Sequence, residues 1–186
     1  GGTASKGSDQ FTHQAAHDGL VQFHNVRSVV DHAGDLVALN RTGYITVSDD
    51  KGREKERHSV VYGAKLNVTD GVTVKKGHTM AEWDPYTNPI LSDAAGLVHY
   101  KDCIERLTMS EELDPQTGLA QRVILEFKDA TKEPRLAIRA EGAKGGGKNF
   151  NLPAGAHIMV EDGENVYPGT ILAKIPSESA KTKDIT

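Results

Sequence analysis

The sequence predicts an all-β protein made of two tandem copies of one small domain. Short runs rich in β-branched and aromatic residues follow one another along the 186 residues, with glycine-containing turns between them. Only residues 105–113 show weak helical character. Residues 63–84 recur as residues 155–176, at a constant spacing of 92 and without a gap. Many short strands with glycine turns are typical of small barrels and sandwiches.

The recurring segment indicates a duplicated domain. The run GLV opens each copy, at Gly19 and again at Gly96, and the longer match lies in the later half of each copy. Two copies are too few for a solenoid, which needs about three units or more to bury a continuous core. The identical positions are Gly63 and Gly155, Ala64 and Ala156, Val68 and Val160, Asp70 and Asp162, Gly71 and Gly163, Val74 and Val166, Gly77 and Gly169, and Ala81 and Ala173.

Within the first copy, strand-like runs alternate with turn signals. The polar residues 1–17 predict an approach segment, and the charged run 51–57 predicts a solvated hairpin end. Asp70 and Gly71 predict a tight turn with positive φ, and Gly77 predicts a second turn. The predicted strands are 21–30, 35–40 and 44–50, and the predicted turns are 33–35, 41–43 and 49–52.

The second copy follows the same plan with a different middle. Residues 109–118 predict a longer excursion, after which 122–127 and 135–140 alternate like strands. The connecting stretch 84–93 contains two prolines, which predicts a stiff linker and a fixed orientation between the copies. The predicted organisation is an arm at 1–17, a first domain at 18–92, a second domain at 93–178 and a return arm at 179–186.

Composition argues against several classes of protein. A net charge of −4 with both signs interspersed is unlike a protein that binds nucleic acid by itself, and 5% aromatic residues are few for a base-stacking surface. Neither a membrane span nor a signal sequence is expected from the apolar runs. Cys103 is the only cysteine, so we expect no internal disulfide, no thiolate metal site and a reducing, cytoplasmic location.

The glycine-rich run at 144–148 invites comparison with a phosphate-binding loop. That motif requires a serine or threonine after the lysine, and it joins a strand to a helix. Here Asn149 follows Lys148, and the next residues show no helical pattern. The run therefore predicts a flexible hairpin turn.

No constellation of reactive side chains stands out. His13 and His17 would share one face of a helix, but no third ligand lies at a convincing spacing, so exposed polar histidines are expected. Cys103 aligns with an apolar residue of the other copy, Val26, which predicts a small buried hydrophobe. Trp83 is expected in or near the core for the same reason. We predict no catalytic, cofactor-binding or metal-binding residue in this chain.

The repeated pattern V-x-D-G-x-x-V-x-x-G-x-x-x-A resembles the second half of biotinyl and lipoyl carrier domains, which are barrel–sandwich hybrids. Carrier domains present a modifiable lysine at a hairpin tip, within a tripeptide such as MKM or DKA. Neither tripeptide occurs here. The resemblance therefore implies the barrel–sandwich hybrid fold and argues against carrier function.

The two ends of the chain are distinctive, with GGTAS at 1–5 and ESAKTKDIT at 178–186. Both resemble the arms of the trigger loop in the β′ subunit of bacterial RNA polymerase. The interior resembles the large insertion that proteobacterial-type β′ subunits carry in that loop. The interior matches are NVRSVV at 25–30, YGAKL at 62–66, AEWDP at 81–85 and LDPQTGL at 113–119.

This resemblance implies a parent DNA-directed RNA polymerase, a nucleotidyltransferase that uses magnesium and zinc. It implies two tandem sandwich–barrel hybrid motifs, as the internal repeat independently requires. The catalytic aspartates, the zinc-binding cysteines and the trigger-loop histidine of the family lie outside this chain, so no activity and no cofactor are expected in it alone. The expected role is to modulate trigger-loop folding, and so nucleotide addition, pausing and transcript cleavage.

The resemblance also implies where the chain meets the trigger loop and what surrounds it. The expected partners are the rest of the polymerase (β′, β, α, ω and sigma) and transcript-cleavage or elongation factors, with DNA and RNA reached only through the parent complex and no membrane. The expected hinge and trigger-loop junction residues are Gly1, Gly2, Thr3, Thr182, Lys183 and Asp184.

Two other classes of protein stay open. A stand-alone β-rich binding module predicts a sizeable apolar pocket for a ligand of its own. A carrier or transport-adaptor protein with hammerhead domains predicts a modified lysine or long helical hairpins.

Overall fold

Eighteen β-strands and no helix make up residues 11–177, the part of the chain that the computed structural model describes. The backbone divides between Pro85 and Tyr86 into two compact units. The first unit contains β1 (Thr12–Gln14), β2 (Gly19–His24), β3 (Ser28–Val30), β4 (Leu36–Ala38), β5 (Tyr44–Ser48), β6 (Glu54–Ser59), β7 (Lys65–Leu66), β8 (Thr73–Val74) and β9 (Thr79–Glu82). The second contains β10 (Thr87–Leu91), β11 (Gly96–Lys101), β12 (Met109–Leu113), β13 (Ala120–Ile124), β14 (Arg135–Arg139), β15 (Lys148–Asn151), β16 (His157–Ile158), β17 (Asn165–Val166) and β18 (Ile171–Pro176).

The two units have the same strand order. The first pairs its strands as β1-β9-β7-β4-β3 and as β6-β5-β2-β8. The second pairs them as β10-β18-β16-β13-β12 and as β15-β14-β11-β17, so that adding nine to each strand number converts one unit into the other. The all-β prediction is confirmed, and the sequence repeat corresponds to a repeat of topology.

Each unit closes a hydrophobic core of its own. Alternate residues of the central strands point inward, as a half-buried antiparallel sheet requires. The largest buried side chains of the first core include Val21, Ile45, Val47 and Met80, and their counterparts in the second core are Val98, Leu136, Ile138 and Leu172.

The aspartate of each repeated turn ties that turn to a central strand. The Asp70 carboxylate accepts the Phe23 backbone N–H at 2.9 Å, and the Asp162 carboxylate accepts the Tyr100 N–H at 3.1 Å. The predicted positive φ is confirmed for the glycine that follows each aspartate, at 91° for Gly71 and 88° for Gly163. The repeated sequence therefore encodes a repeated turn and its anchor.

The stretch predicted as a linker is largely a strand. Residues 87–91 form β10, which pairs with β18, so they belong to the sheet of the second unit. Pro89 lies within β10, where a central strand would exclude it. An edge strand tolerates proline because one side of its backbone makes no ladder hydrogen bonds, and β10 is at the sheet edge.

Other local predictions are also corrected. The helical interpretation of 105–113 is wrong, because residues 109–113 form β12 and pair with β13. The predicted excursion at 109–118 is consequently one arm and the tip of a hairpin. The approach segment 1–17 contains β1, and the charged run 51–57 enters β6. Short polar strands lack the apolar alternation that reveals strands to sequence analysis.

The glycine that opens each GLV run allows a close backbone approach. A Cβ built on Gly19 would lie 2.3 Å from the Ser48 carbonyl oxygen, and one on Gly96 would lie 2.3 Å from the Arg139 carbonyl oxygen. Real side-chain atoms do not come so near, so any larger residue must push two paired strands apart.

We predict that Gly19→Ala lowers the free energy of unfolding of the first unit by about 2–4 kcal/mol, because the paired strands must separate. Trp83, the only tryptophan, lies in this unit, so urea unfolding followed by its fluorescence measures the effect. Gly145→Ala is the matched control, since a Cβ there has no neighbour within 4 Å. Equal unfolding midpoints for the two variants would contradict the close-approach argument.

Candidate functional site

The first and last strands of the first unit are neighbours. β1 pairs antiparallel with β9, with Thr12 opposite Glu82 and His13 opposite Ala81. Beyond the strands, the Trp83 N–H donates to the Phe11 carbonyl oxygen at 2.9 Å. The backbone therefore arrives and departs side by side.

The second unit repeats this arrangement. β10 pairs antiparallel with β18, with Thr87 opposite Pro176, and the Ser177 N–H donates to the Tyr86 carbonyl oxygen at 2.9 Å. Only Asp84 and Pro85 separate Trp83, at the paired ends of the first unit, from Tyr86, at the paired ends of the second. We call the two strand pairs, β1 with β9 and β10 with β18, the terminal pairs.

A carboxylate fixes the loop that follows β1. The Glu56 side chain is only 9% exposed, and it accepts the Ala16 N–H at 3.1 and 3.0 Å. His17 Nδ1 lies 2.8 Å from one carboxylate oxygen, and His58 Nε2 lies 2.7 Å from the other. Burial opposes ionisation of Glu56, but the hydrogen bonds from His58, Ala16 and His17 outweigh it, and the pKa of Glu56 is lowered.

A histidine within β1 completes this polar cluster. His13 Nε2 lies 2.9 Å from the Ser59 carbonyl oxygen, and its ring lies 4.7 Å from the rings of both His58 and Trp83. Burial lowers the pKa of His13, the bond to Ser59 opposes this, and the nearby His58 ring lowers the pKa further. The cluster thus holds the first strand of the terminal pair against β6 and the end of β9.

In the second unit the equivalent contact has the opposite charge order. Lys148 of β15 occupies the position of Glu56, and its Nζ lies 2.9 Å from the carboxylate of Asp93 in the loop that follows β10. Gly147 brings this chain close to β14, since its Cβ would lie 2.4 Å from the Ile138 carbonyl oxygen. The glycine-rich run is a hairpin turn, as predicted, and its lysine forms an ion pair within the fold.

The structure settles several of the residues considered above. His13 lies in a strand and not in a helix, and within residues 11–177 no group of three or more His, Cys, Asp or Glu side chains is arranged to hold a metal ion. Cys103 is half-buried against the second core, and burial raises the pKa of its thiol, as suits a hydrophobic position. Trp83 packs against the first core, as predicted.

The predicted junction residues lie outside the described residues: Gly1, Gly2, Thr3, Thr182, Lys183 and Asp184. Sequence reasoning missed Glu56, because a run of charges suggested a solvated hairpin end. The alternation of Glu56 and His58 with exposed Arg57 and Ser59 was a weak signal of an inward face.

Fold and site together define a tandem all-β module whose two units each begin and end on one strand pair. Within residues 11–177 no helix is long and apolar enough to cross a membrane. No family model matches the chain.

Curated relatives match the chain over all of its length. It is 52% identical over 186 residues to the DNA-directed RNA polymerase subunit beta′ of Koribacter versatilis (strain Ellin345). It is 43% identical over 192 aligned residues to the same subunit of Syntrophobacter fumaroxidans. The chain spans 13% and 14% of the length of these two relatives. The chain is therefore homologous to one segment of the polymerase β′ subunit.

We predict that Glu56→Ala lowers the free energy of unfolding of the first unit by about 1–3 kcal/mol, because a buried backbone N–H and two histidines lose their acceptor. Glu54→Ala, on the same strand, is the control, since the Glu54 side chain is 45% exposed and its ion pair with Arg57 is a surface contact. Urea unfolding followed by Trp83 fluorescence compares them. A loss for Glu54→Ala as large as that for Glu56→Ala would contradict the proposed anchoring.

We predict that acid weakens the first unit partly through His13. The folded protein holds the pKa of His13 below its ordinary value, so the unfolded chain binds a proton that the folded chain resists. This contribution to stability is complete above about pH 6.5 and is lost as the pH falls. His13→Ile, which installs the residue of the second unit, Ile90, should lose less unfolding free energy than the wild type between about pH 7.5 and about pH 5.5. Parallel pH profiles would contradict this.

Proposed function

We propose that this chain is a non-catalytic insertion within the trigger loop of an RNA polymerase β′ subunit, built of two sandwich–barrel hybrid motifs. The observation that carries the proposal is the full-length similarity to segments of two β′ relatives. The sequences at the two ends, which resemble the arms of that loop, support the same position.

The terminal pairs support an inserted position on physical grounds. A domain inserted into a loop must take the chain in and return it at nearby points, because the host structure fixes both ends of the loop. In each unit the first and last strands are hydrogen-bonded neighbours. Each unit therefore meets the geometric requirement by itself, however the two are oriented.

The proposed action is a shift of conformational populations. A trigger loop alternates between folded and unfolded states, and a body of 20.1 kDa attached to it must move with it. If docking contacts of that body differ between the two states, their difference in free energy biases the loop. A difference of about 1.4 kcal/mol changes the ratio of the states tenfold.

The remaining elements of the proposal concern the parent enzyme. DNA-dependent RNA synthesis, with the magnesium and zinc that it requires, belongs to residues outside this chain. The proposed partners are the other polymerase subunits and elongation or transcript-cleavage factors, in the cytoplasm. Gly1, Gly2, Thr3, Thr182, Lys183 and Asp184 are the proposed hinge and junction residues.

The test is to replace residues 6–179 of the assembled polymerase with a short flexible linker. We expect single-nucleotide addition at saturating nucleotide to persist, while pause lifetime or transcript cleavage changes severalfold, because the loop loses its docking bias. The control carries an unrelated small domain with adjacent termini at the same site, which keeps the bulk and removes the specific contacts. No change in any step upon replacement would refute modulation.

A further inference from the structure

The two units share a groove, and it differs between them in chemistry. In each unit it lies between the hairpin of the third and fourth strands and the segment around the seventh strand. The first groove has a volume of about 470 Å³ and the second about 380 Å³. Because the units are equivalent strand by strand, the first groove serves as an internal reference for the second.

The first groove has a polar wall. Asn67 is exposed on it, and Lys65 and Asp35 form an ion pair at 3.6 Å beside it. At the positions of Asn67 and Lys65 the second unit has Met159 and His157. An asparagine on one surface is thus a methionine on the other, with the backbone unchanged.

The second groove exposes apolar side chains. Met159 is 50% exposed and Leu119 is 69% exposed, and both line the groove. Leu119 belongs to a hairpin with five residue pairs between β12 and β13, whereas β3 and β4 form three pairs. The extra length raises a wall that the first groove lacks. Leucine and methionine left in water at a built concavity are typical of a binding surface.

Acidic side chains surround this apolar surface. Arg122 lies in the groove, but Glu161 at 2.9 Å and Glu111 at 3.3 Å neutralise it. Asp114 lines the groove as well, and exposed Glu112 lies on β12 nearby. Carboxylates are therefore in excess, which disfavours a nucleic acid and favours a cationic partner.

We propose that this groove of the second unit docks a protein segment that carries large apolar side chains flanked by lysine or arginine. Leucine-sized side chains of the segment cover Leu119 and Met159, and its cationic groups face the acidic rim. Docking here acts close to the outgoing strand, since the Met159 N–H donates to the Leu172 carbonyl oxygen of β18 at 2.8 Å.

The test uses the complete 186-residue chain, so it does not depend on the polymerase proposal. The probe is a short fluorescent peptide with two leucines between arginines, followed by anisotropy and by methyl NMR of Leu119 and Met159. We expect saturable binding that shifts both methyl groups and weakens with salt. The double variant Leu119→Ser, Met159→Asn should bind about tenfold more weakly or worse, because it removes the apolar contact and installs the first unit's asparagine.

Val30→Ser is the matched control, since Val30 is 65% exposed on the corresponding hairpin of the first unit and should not affect binding. A peptide with glutamates in place of the arginines should not bind. The proposal is overturned if the peptide shifts residues of the first groove equally, if the double variant binds as the wild type does, or if the acidic peptide binds as well. Self-association through the groove without peptide, or binding of duplex DNA there, would also overturn it.

Discussion

The pairing of the first strand with the last is the constraint on which each unit depends. β1 bonds to β9, and β10 to β18, across the whole length of a unit. Such non-local pairing can form only after the intervening strands have brought the two ends together, because loop closure must be completed before the contact gains anything. The small core, the anchored turns and the polar contacts around the loop after the first strand all serve this closure. A unit built in this way has adjacent ends as a consequence of its topology.

The sequence predicted those parts of the fold that the two copies share in letters. The repeated aspartate–glycine turns, the central strands such as β14 and the half-core position of Trp83 follow from apolar alternation and turn chemistry. The terminal pairs were not predicted, because β1 is three residues long and β10 contains Pro89. Strands of this kind exist through their partners, and a partner remote in sequence leaves no local signal.

The polar cluster at Glu56 escaped prediction for a related reason. Within a run of charges, burial of one carboxylate is decided by donors that arrive from another strand, namely Ala16, His17 and His58. The second unit makes the same connection with Lys148 and Asp93. Duplication therefore preserved the connection while its charges were reversed. Sequence identity between the copies underestimates what they share, because the conserved quantity is a contact and not a residue type.

The same reasoning separates structure from function in this chain. Positions that close a unit are retained in both copies in some chemical form, whereas exposed positions are free to diverge. Met159 and Leu119 diverge toward apolar character, where solubility alone favours polar residues. Their groove is built on β16, which pairs directly with β18, the strand that leads out of the second unit. A partner held there would constrain the outgoing chain through one strand pair. For an insertion in a moving loop, that short route would convert docking into a bias on the loop.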